Sequence, residues 1–223
     1  MSIKTSIGWT DISWNPIRGL CHGNCWFCYA RKFHKRFGWN PELRLDLQEH
    51  KLRKIPDGSK VFICSMNDLF HHAVKPGWRA KVFEVIERYP RLTFQVLTKF
   101  PENAGGGIIL NNVWLGISLT GKATTDGNWR RFKNFQRVWA AVKFISFEPM
   151  MSRSCYSLER IDWVIIGALT GYGKKLQPER AWIKSYVDRC AVLNIPVFLK
   201  ENLREIWRES LIQEFPVIKE EEK

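Results

Sequence analysis

Three thiols fall within eight residues in Cys21-His22-Gly23-Asn24-Cys25-Trp26-Phe27-Cys28, just after the segment WNPIRGL. Cysteines this close and odd in number cannot pair off as disulfides, and in a loop they make poor core filler, so the spacing points to metal ligation. A structural zinc site would need a fourth ligand, for which His22, His34, His71 and His72 are available. Such sites commonly repeat a second CxxC or an HxxxH, and neither follows here. A four-iron cluster normally takes four cysteines, and supplying only three leaves one iron open to another ligand. The other cysteines stand apart: Cys64 lies in an apolar run and Cys190 on an apolar helical stripe, where both read as small core residues, and Cys155 is isolated.

Something must hold that loop. Apolar, β-branched runs recur at 60–65, 92–98, 113–118, 143–147, 162–167 and 196–199, and their continuous apolarity predicts parallel strands buried on both faces. Helical stripes lie between several of them: Trp78, Val82, Phe83 and Ile86 in 78–88; Trp129, Phe132, Val138, Trp139 and Val142 in 129–142; and Trp182, Ile183, Tyr186, Val187 and Cys190 in 180–193. A further helical stretch is expected at about 29–37, directly after the cysteines. Alternation of this kind predicts βαβ units with right-handed crossovers, in a doubly wound sheet or a full or partial (β/α) barrel. The loops after the strands, 65–72, 98–107, 118–128, 146–150 and 167–175, are the richest in polar groups and glycine, which gathers the chemistry on one rim. Residues 1–217 are expected to form one domain and 218–223 a frayed tail.

CxxxCxxC with the aromatic Phe27 before its last cysteine resembles the signature of the radical S-adenosylmethionine (SAM) superfamily. There, the amino and carboxylate groups of SAM chelate the open iron, and one electron passed to the sulfonium releases a deoxyadenosyl radical. The chain as a whole resembles a phage- and prophage-associated family of radical-SAM-like proteins, through TSIGWTDISWNPIRG (5–19), CWFCYA (25–30), VFICSMNDLFHH (61–72), LTFQVLTKFPEN (92–103), VWLGISL (113–119), ISFEPM (145–150) and WVIIGALTG (163–171). It departs from that family in a shorter spacing between Cys21 and Cys25, closer to the broader superfamily, and in Ala168-Leu169-Thr170-Gly171 where many relatives carry Gly-Glu-Ser-Gly.

The resemblance implies a partial (β/α)6 barrel with the cluster in the loop after its first strand. It also implies a [4Fe–4S] cluster on Cys21, Cys25 and Cys28, SAM as its ligand, and an external electron donor. By strand order it puts Asn67 and Asp68, with Ser65 beside them, at the methionine amino group, and Ser118 and Glu148 at the ribose and the methionine moiety. Phe27, Lys99 and Gly167 complete the expected cofactor surface. The residues by themselves also admit plainer roles. Asn67 and Asp68 suit turn and capping chemistry, and Lys99 could be a surface lysine at a strand end. His71 and His72 read as loop residues satisfied by neighbours. Glu148 stands beside Pro149 in an apolar run, where a carboxylate needs a partner. Trp9, Asp11, Trp14 and Asn15 frame the first strand without an assigned role.

Charge supplies the partner class. The chain carries 35 Lys plus Arg against 22 Asp plus Glu, a formal +13. Much of the excess lies in residues 29–60 and 121–143, after the first and fourth strands. A nucleic acid, nucleotide or other polyanion is therefore the expected substrate or partner. Arg130, Arg131, Lys133 and Arg137 interleave with Trp129 and Trp139 in a pattern that looks like a stacking platform, but helical spacing favours core for these aromatics. With neither an export signal nor a long apolar run in the sequence, a soluble cytoplasmic protein with no membrane partner is expected.

Overall fold

The computed structural model describes residues 5–105, 108, 110–120, 127–171 and 176–217. Parts of the expected loops 98–107, 118–128 and 167–175, and the expected tail at 218–223, lie outside the described residues. Seven parallel strands pair in chain order: β1 (Ile12–Trp14), β4 (Lys60–Ile63), β5 (Thr93–Thr98), β6 (Val113–Ser118), β7 (Val142–Phe147), β8 (Trp163–Ile166) and β9 (Val197–Leu199). The six expected runs are all strands, and the short β1 makes a seventh.

The sheet is curled into a half-barrel. Laid flat, strands β1 and β8 would stand about 24 Å apart, five spacings of roughly 4.8 Å. Yet the ring of Trp9, just ahead of β1, lies 4.7 Å from Phe62, 6.2 Å from Phe144 and 6.3 Å from Trp163. Phe62, Trp114, Phe144, Trp163 and Phe198 join Trp9 in one buried cluster on the concave side. The convex side packs Val61, Phe94, Leu115, Ile145, Val164 and Leu199 into a larger core. Helices α2 (Pro76–Glu87), α3 (Asn128–Arg137) and α4 (Arg180–Val192) contribute Val82, Val85, Ile86, Phe132, Phe135, Ile183 and Tyr186 to it. Cys64 and Cys190 are buried in the same core as expected, while Cys155 is exposed.

One expected helix needs correction. The stripe over 129–142 breaks at Val138, whose backbone is already extended (φ −83, ψ 133), and Val142 begins β7. Trp129 and Trp139 are consequently 44% and 52% exposed rather than core.

The 19–43 excursion is closed at its base by a two-stranded antiparallel ribbon, β2 (Ile17–Arg18) with β3 (Arg44–Leu45). Within it, α1 (Tyr29–Phe37) starts at Cys28 and stops at Gly38, whose left-handed φ of 58 accommodates the C-cap. The expected helix at about 29–37 is thus present. Among the described residues no helix is long and apolar enough to cross a membrane.

Candidate active site

Side chains alternate along each strand, so rows of cross-strand partners identify what faces the concave side. One row runs Ser13, Phe62, Gln95, Trp114, Val142, and a higher one runs Ser118, Ser146, Ile165, Phe198. Two residues farther along the same faces come Glu148, Gly167 and Lys200. The lower part of the face is filled by aromatic rings, and toward the strand C-termini it becomes polar.

Several of those polar atoms are orphaned. Ser13 Oγ, Gln95 Oε1, Ser146 Oγ and the Trp114 indole N–H are shielded from solvent with no hydrogen-bond partner among the described residues. Buried polar groups are ordinarily satisfied by protein, ordered water or ligand, so this row marks a place where another molecule or water belongs. Above it, Lys200 Nζ lies 3.0 Å from Glu148 Oε1, and the Trp9 indole N–H donates to the same carboxylate at 3.2 Å. Gly167 makes the pair possible: a Cβ there would stand 2.8 Å from Lys200 Cδ and 3.5 Å from Glu148 Cγ.

The segment entering the cysteine loop is held by the loop after β4, which is itself tied to the ends of β1 and β5. Asn15, just past β1, accepts from the Met66 N–H at 3.0 Å and exchanges bonds of 3.1 and 3.2 Å with Ser65. The Asn67 amide donates to the carbonyls of Gly19 (2.9 Å) and Ile17 (3.4 Å). Asp68 is buried and accepts from Thr98 Oγ1 (2.7 Å), Lys99 N–H (2.8 Å) and Phe70 N–H (3.1 Å), tying the β4 loop to the end of β5. Burial raises its carboxyl above the ordinary range, and those donors together with the Lys99 charge pull it back. As placed, Asn67 and Asp68 are occupied in holding the rim.

Cys21, Cys25 and Cys28 are all half-buried free thiols. The Gly23 N–H points at Cys21 Sγ (3.4 Å), and Arg31 donates to the Cys21 carbonyl (3.2 Å). Burial pushes the Cys21 thiol up, with the Gly23 N–H opposing, and it feels the charges of Asp68, Cys28 and Lys99. Tyr29 joins the two halves of the site. Its ring is 49% exposed, but its hydroxyl turns inward to donate to the Ser65 carbonyl. Burial drives that phenol strongly upward, reinforced by Cys28, Glu148 and Cys21. Phe27 is half-buried and packs edge-on to Trp26 at 5.3 Å.

The donor chemistry fits an iron–sulfur group: three free thiols within eight residues, with Cys28 at the N-cap of α1. Among the described residues no three His, Cys, Asp or Glu side chains form a preformed metal site. Of the histidines suggested for zinc, His71 lies 4.0 Å from His72 and 6.0 Å from His22 between ring centroids, and its Nδ1 accepts from the Ala73 N–H.

Sequence reasoning had no role for Trp9 or Asn15 and missed Lys200, Ser146, Gln95, Ser13 and Tyr29. A signal for Lys200 existed: PVFLK closes on lysine at a strand end as QVLTK does for Lys99. A cavity of about 1730 Å³ opens at the opposite end of the sheet, beside Asn111, Trp139, Asp162 and Asn194, away from all of these groups.

No curated protein matches the chain in sequence. A solved structure of spore photoproduct lyase complexed with dinucleoside spore photoproduct is similar over 74% of this chain and 58% of that one, with a TM-score of 0.42 and 11% identity. The chain therefore spans less than two thirds of that protein, and so slight a likeness does not inform its chemistry. The family model described as "Protein of unknown function (DUF5131)" matches residues 4–211, nearly the whole length, and the chain belongs to that family.

Proposed function

We propose that the chain is a radical SAM enzyme, which cleaves SAM reductively at a [4Fe–4S] cluster held by Cys21, Cys25 and Cys28 and acts on a nucleic acid or nucleotide. One observation carries this reading: the three-thiol loop is tied to the loop after β4 at both its ends, through Asn67 to the Gly19 carbonyl and through the Tyr29 hydroxyl to the Ser65 carbonyl, beside a concave face whose polar atoms at Ser13, Gln95 and Ser146 lack partners among the described residues. Bound there, the cluster would supply the single electron that splits the sulfonium, replenished by an external donor.

The chain's own groups do the rest. Glu148 and Lys200 present a carboxylate beside an ammonium, complementary to the zwitterionic amino-acid end of SAM. Ser118 and Ser146, cross-strand partners, offer hydroxyls for the ribose. Lys99 follows β5 at the same rim, Gly167 leaves room for the charged pair, and Phe27 lies between the second and third thiols. Trp9, Trp114, Phe144 and Trp163 close the floor against water, which protects a reactive radical. The basic window after β1 begins at the cysteine loop itself. The one after β6 enters α3 at Asn128, bonded to Thr120 Oγ1 at 3.1 Å, so Arg130 and Arg131 lie near the mouth.

The test is anaerobic reconstitution followed by strong reduction in the presence of SAM. Deoxyadenosine and methionine are expected even without substrate, and a fully loaded cluster that yields neither would overturn the cleavage. For the substrate class, affinity for oligonucleotides should fall with salt by a slope of roughly −0.7 to −0.9 per phosphate neutralised. Salt-independent binding would remove nucleic acid.

A further inference from the structure

Exposed aromatic and basic side chains also share a surface on α1, in a longer row than on α3. Tyr29, Phe33 and Phe37 recur every fourth residue and so share one face of the helix. They are 49%, 40% and 54% exposed, and Trp39 beyond the C-cap is 47% exposed. Their rings form a ladder: Tyr29 to Phe33 is 6.0 Å, Phe33 to Phe37 is 6.1 Å, and Phe37 stacks on Trp39 at 5.3 Å and 22°. Arg31, Lys32, Lys35 and Arg36 accompany them with no acidic residue in the helix, and the Arg36 guanidinium lies over the Phe37 ring at 5.4 Å. Among the residues of α1 only Ala30 is buried. A contiguous row of exposed aromatics on a helix this weakly embedded marks a binding face.

Resting on the nucleic-acid reading above, we infer that α1 is the docking face for a single-stranded nucleic acid, which it leads into the mouth of the half-barrel. Exposed rings at intervals of about 6 Å, inclined by 74° and 46° to one another before Phe37 stacks on Trp39, offer successive contacts to unpaired bases, and the flanking lysine and arginine suit phosphates. A duplex keeps its base faces stacked inward and cannot use such a ladder. The row is also directional: Tyr29 lies at the cysteine end, next to Cys28, and Trp39 at the far end, so a strand along α1 places its terminal or flipped nucleotide over the site.

The experiment uses the reconstituted full-length protein and labelled oligonucleotides of about twelve nucleotides, within the span of ordinary single-strand sites. Wild type should bind the single strand at least about tenfold more tightly than its duplex. Phe33→Leu with Phe37→Leu keeps apolar area but removes stacking, and should weaken single-strand binding about ten- to hundredfold. Phe33→Tyr with Phe37→Tyr should bind nearly as wild type, which separates stacking from a folding defect. Lys35→Glu with Arg36→Glu should lower the salt slope by roughly 0.7 for each phosphate that is no longer neutralised. Iron content and substrate-free deoxyadenosine formation should not change in any of these variants. If wild type forms no deoxyadenosine but binding follows the ring pattern, the proposed activity fails and the docking face stands. Equal binding of duplex and single strand, or wild-type affinity in the leucine pair, overturns the docking face. So does a loss confined to reduction by an acidic redox protein, which would make α1 an electron-donor surface.

Discussion

At Gly116, in the middle of β6, a Cβ would stand 2.2 Å from the Phe144 ring, whereas at Gly167, past the end of β8, it would stand 2.8 Å from Cδ of Lys200. Both glycines lie on the concave face. The first is hemmed in by a fully buried ring that packs against Trp9 and Trp163, and the second by the middle of a long, partly exposed side chain. That contrast divides the face into two regions. The floor is mostly packed aromatic rings, and it holds the curled sheet together. The mouth is lined by the Glu148–Lys200 pair, the hydroxyls of Ser118 and Ser146 and a loop of free thiols, and it is polar where the floor is aromatic. Stability is drawn from the floor and chemistry from the mouth, so substitutions in the two should separate cleanly.

Trp163→Ala should give the largest stability loss, about 4 kcal/mol, because it opens a cavity where the rings of Trp9, Trp114, Phe144 and Phe198 now meet. Thermal unfolding should show it as a midpoint about 10 °C lower, for a chain of this length. Gly116→Ala should cost about 3 kcal/mol by overpacking against Phe144. Gly167→Ala should reverse the pattern. Lys200 can swing aside, so stability should stay within about 1 kcal/mol of wild type. SAM affinity by equilibrium binding should nonetheless fall about tenfold, because the Glu148–Lys200 pair is split. An unfolded Gly167→Ala, or unchanged SAM binding, would blur the distinction.

A last effect lies outside the concave face and serves as a control. Lys143 Nζ is buried on the convex side, donating to the carbonyls of Phe135 (2.8 Å) and Gln136 (3.3 Å), and burial lowers its pKa to about 8. Between that value and the ordinary lysine value of 10.5 the unfolded chain binds more protons than the folded one, so this residue makes stability rise with pH across the interval. Lys143→Met should remove that component. The difference in denaturation midpoint between the two proteins should therefore shift toward the wild type as pH goes from 8 to 10, and a flat difference would contradict the assignment.

The floor is legible in the sequence as strands but not as a floor. Runs such as KVFICS and DWVIIG are apolar on both faces, so they announce buried parallel strands without telling the concave side from the convex one. β1 is located there by the opening motif around Trp9 to Asn15 and not by periodicity, because three residues are too few to show a period. α3 reads too long because Val138, Trp139 and Val142 continue a helical spacing across what is in fact an extended connection and a new strand. At the mouth, the cysteines announce themselves by spacing and Glu148 by its need for a partner. Lys200 does not, because its partner lies 52 residues away and meets it only through the β8 and β9 registers and the gap at Gly167. Trp9 and Asn15 likewise acquire their roles only once the sheet curls.

The central claim is that the three-thiol loop holds iron at this mouth, and metal analysis of anaerobically purified protein tests it most directly. Wild type should be brown with about four irons per chain. Cys21→Ala, Cys25→Ala and Cys28→Ala should each lose them, while Cys64→Ala, Cys155→Ala and Cys190→Ala should retain them. A colourless wild type carrying one zinc, or iron that persists in all three loop variants, would contradict the account.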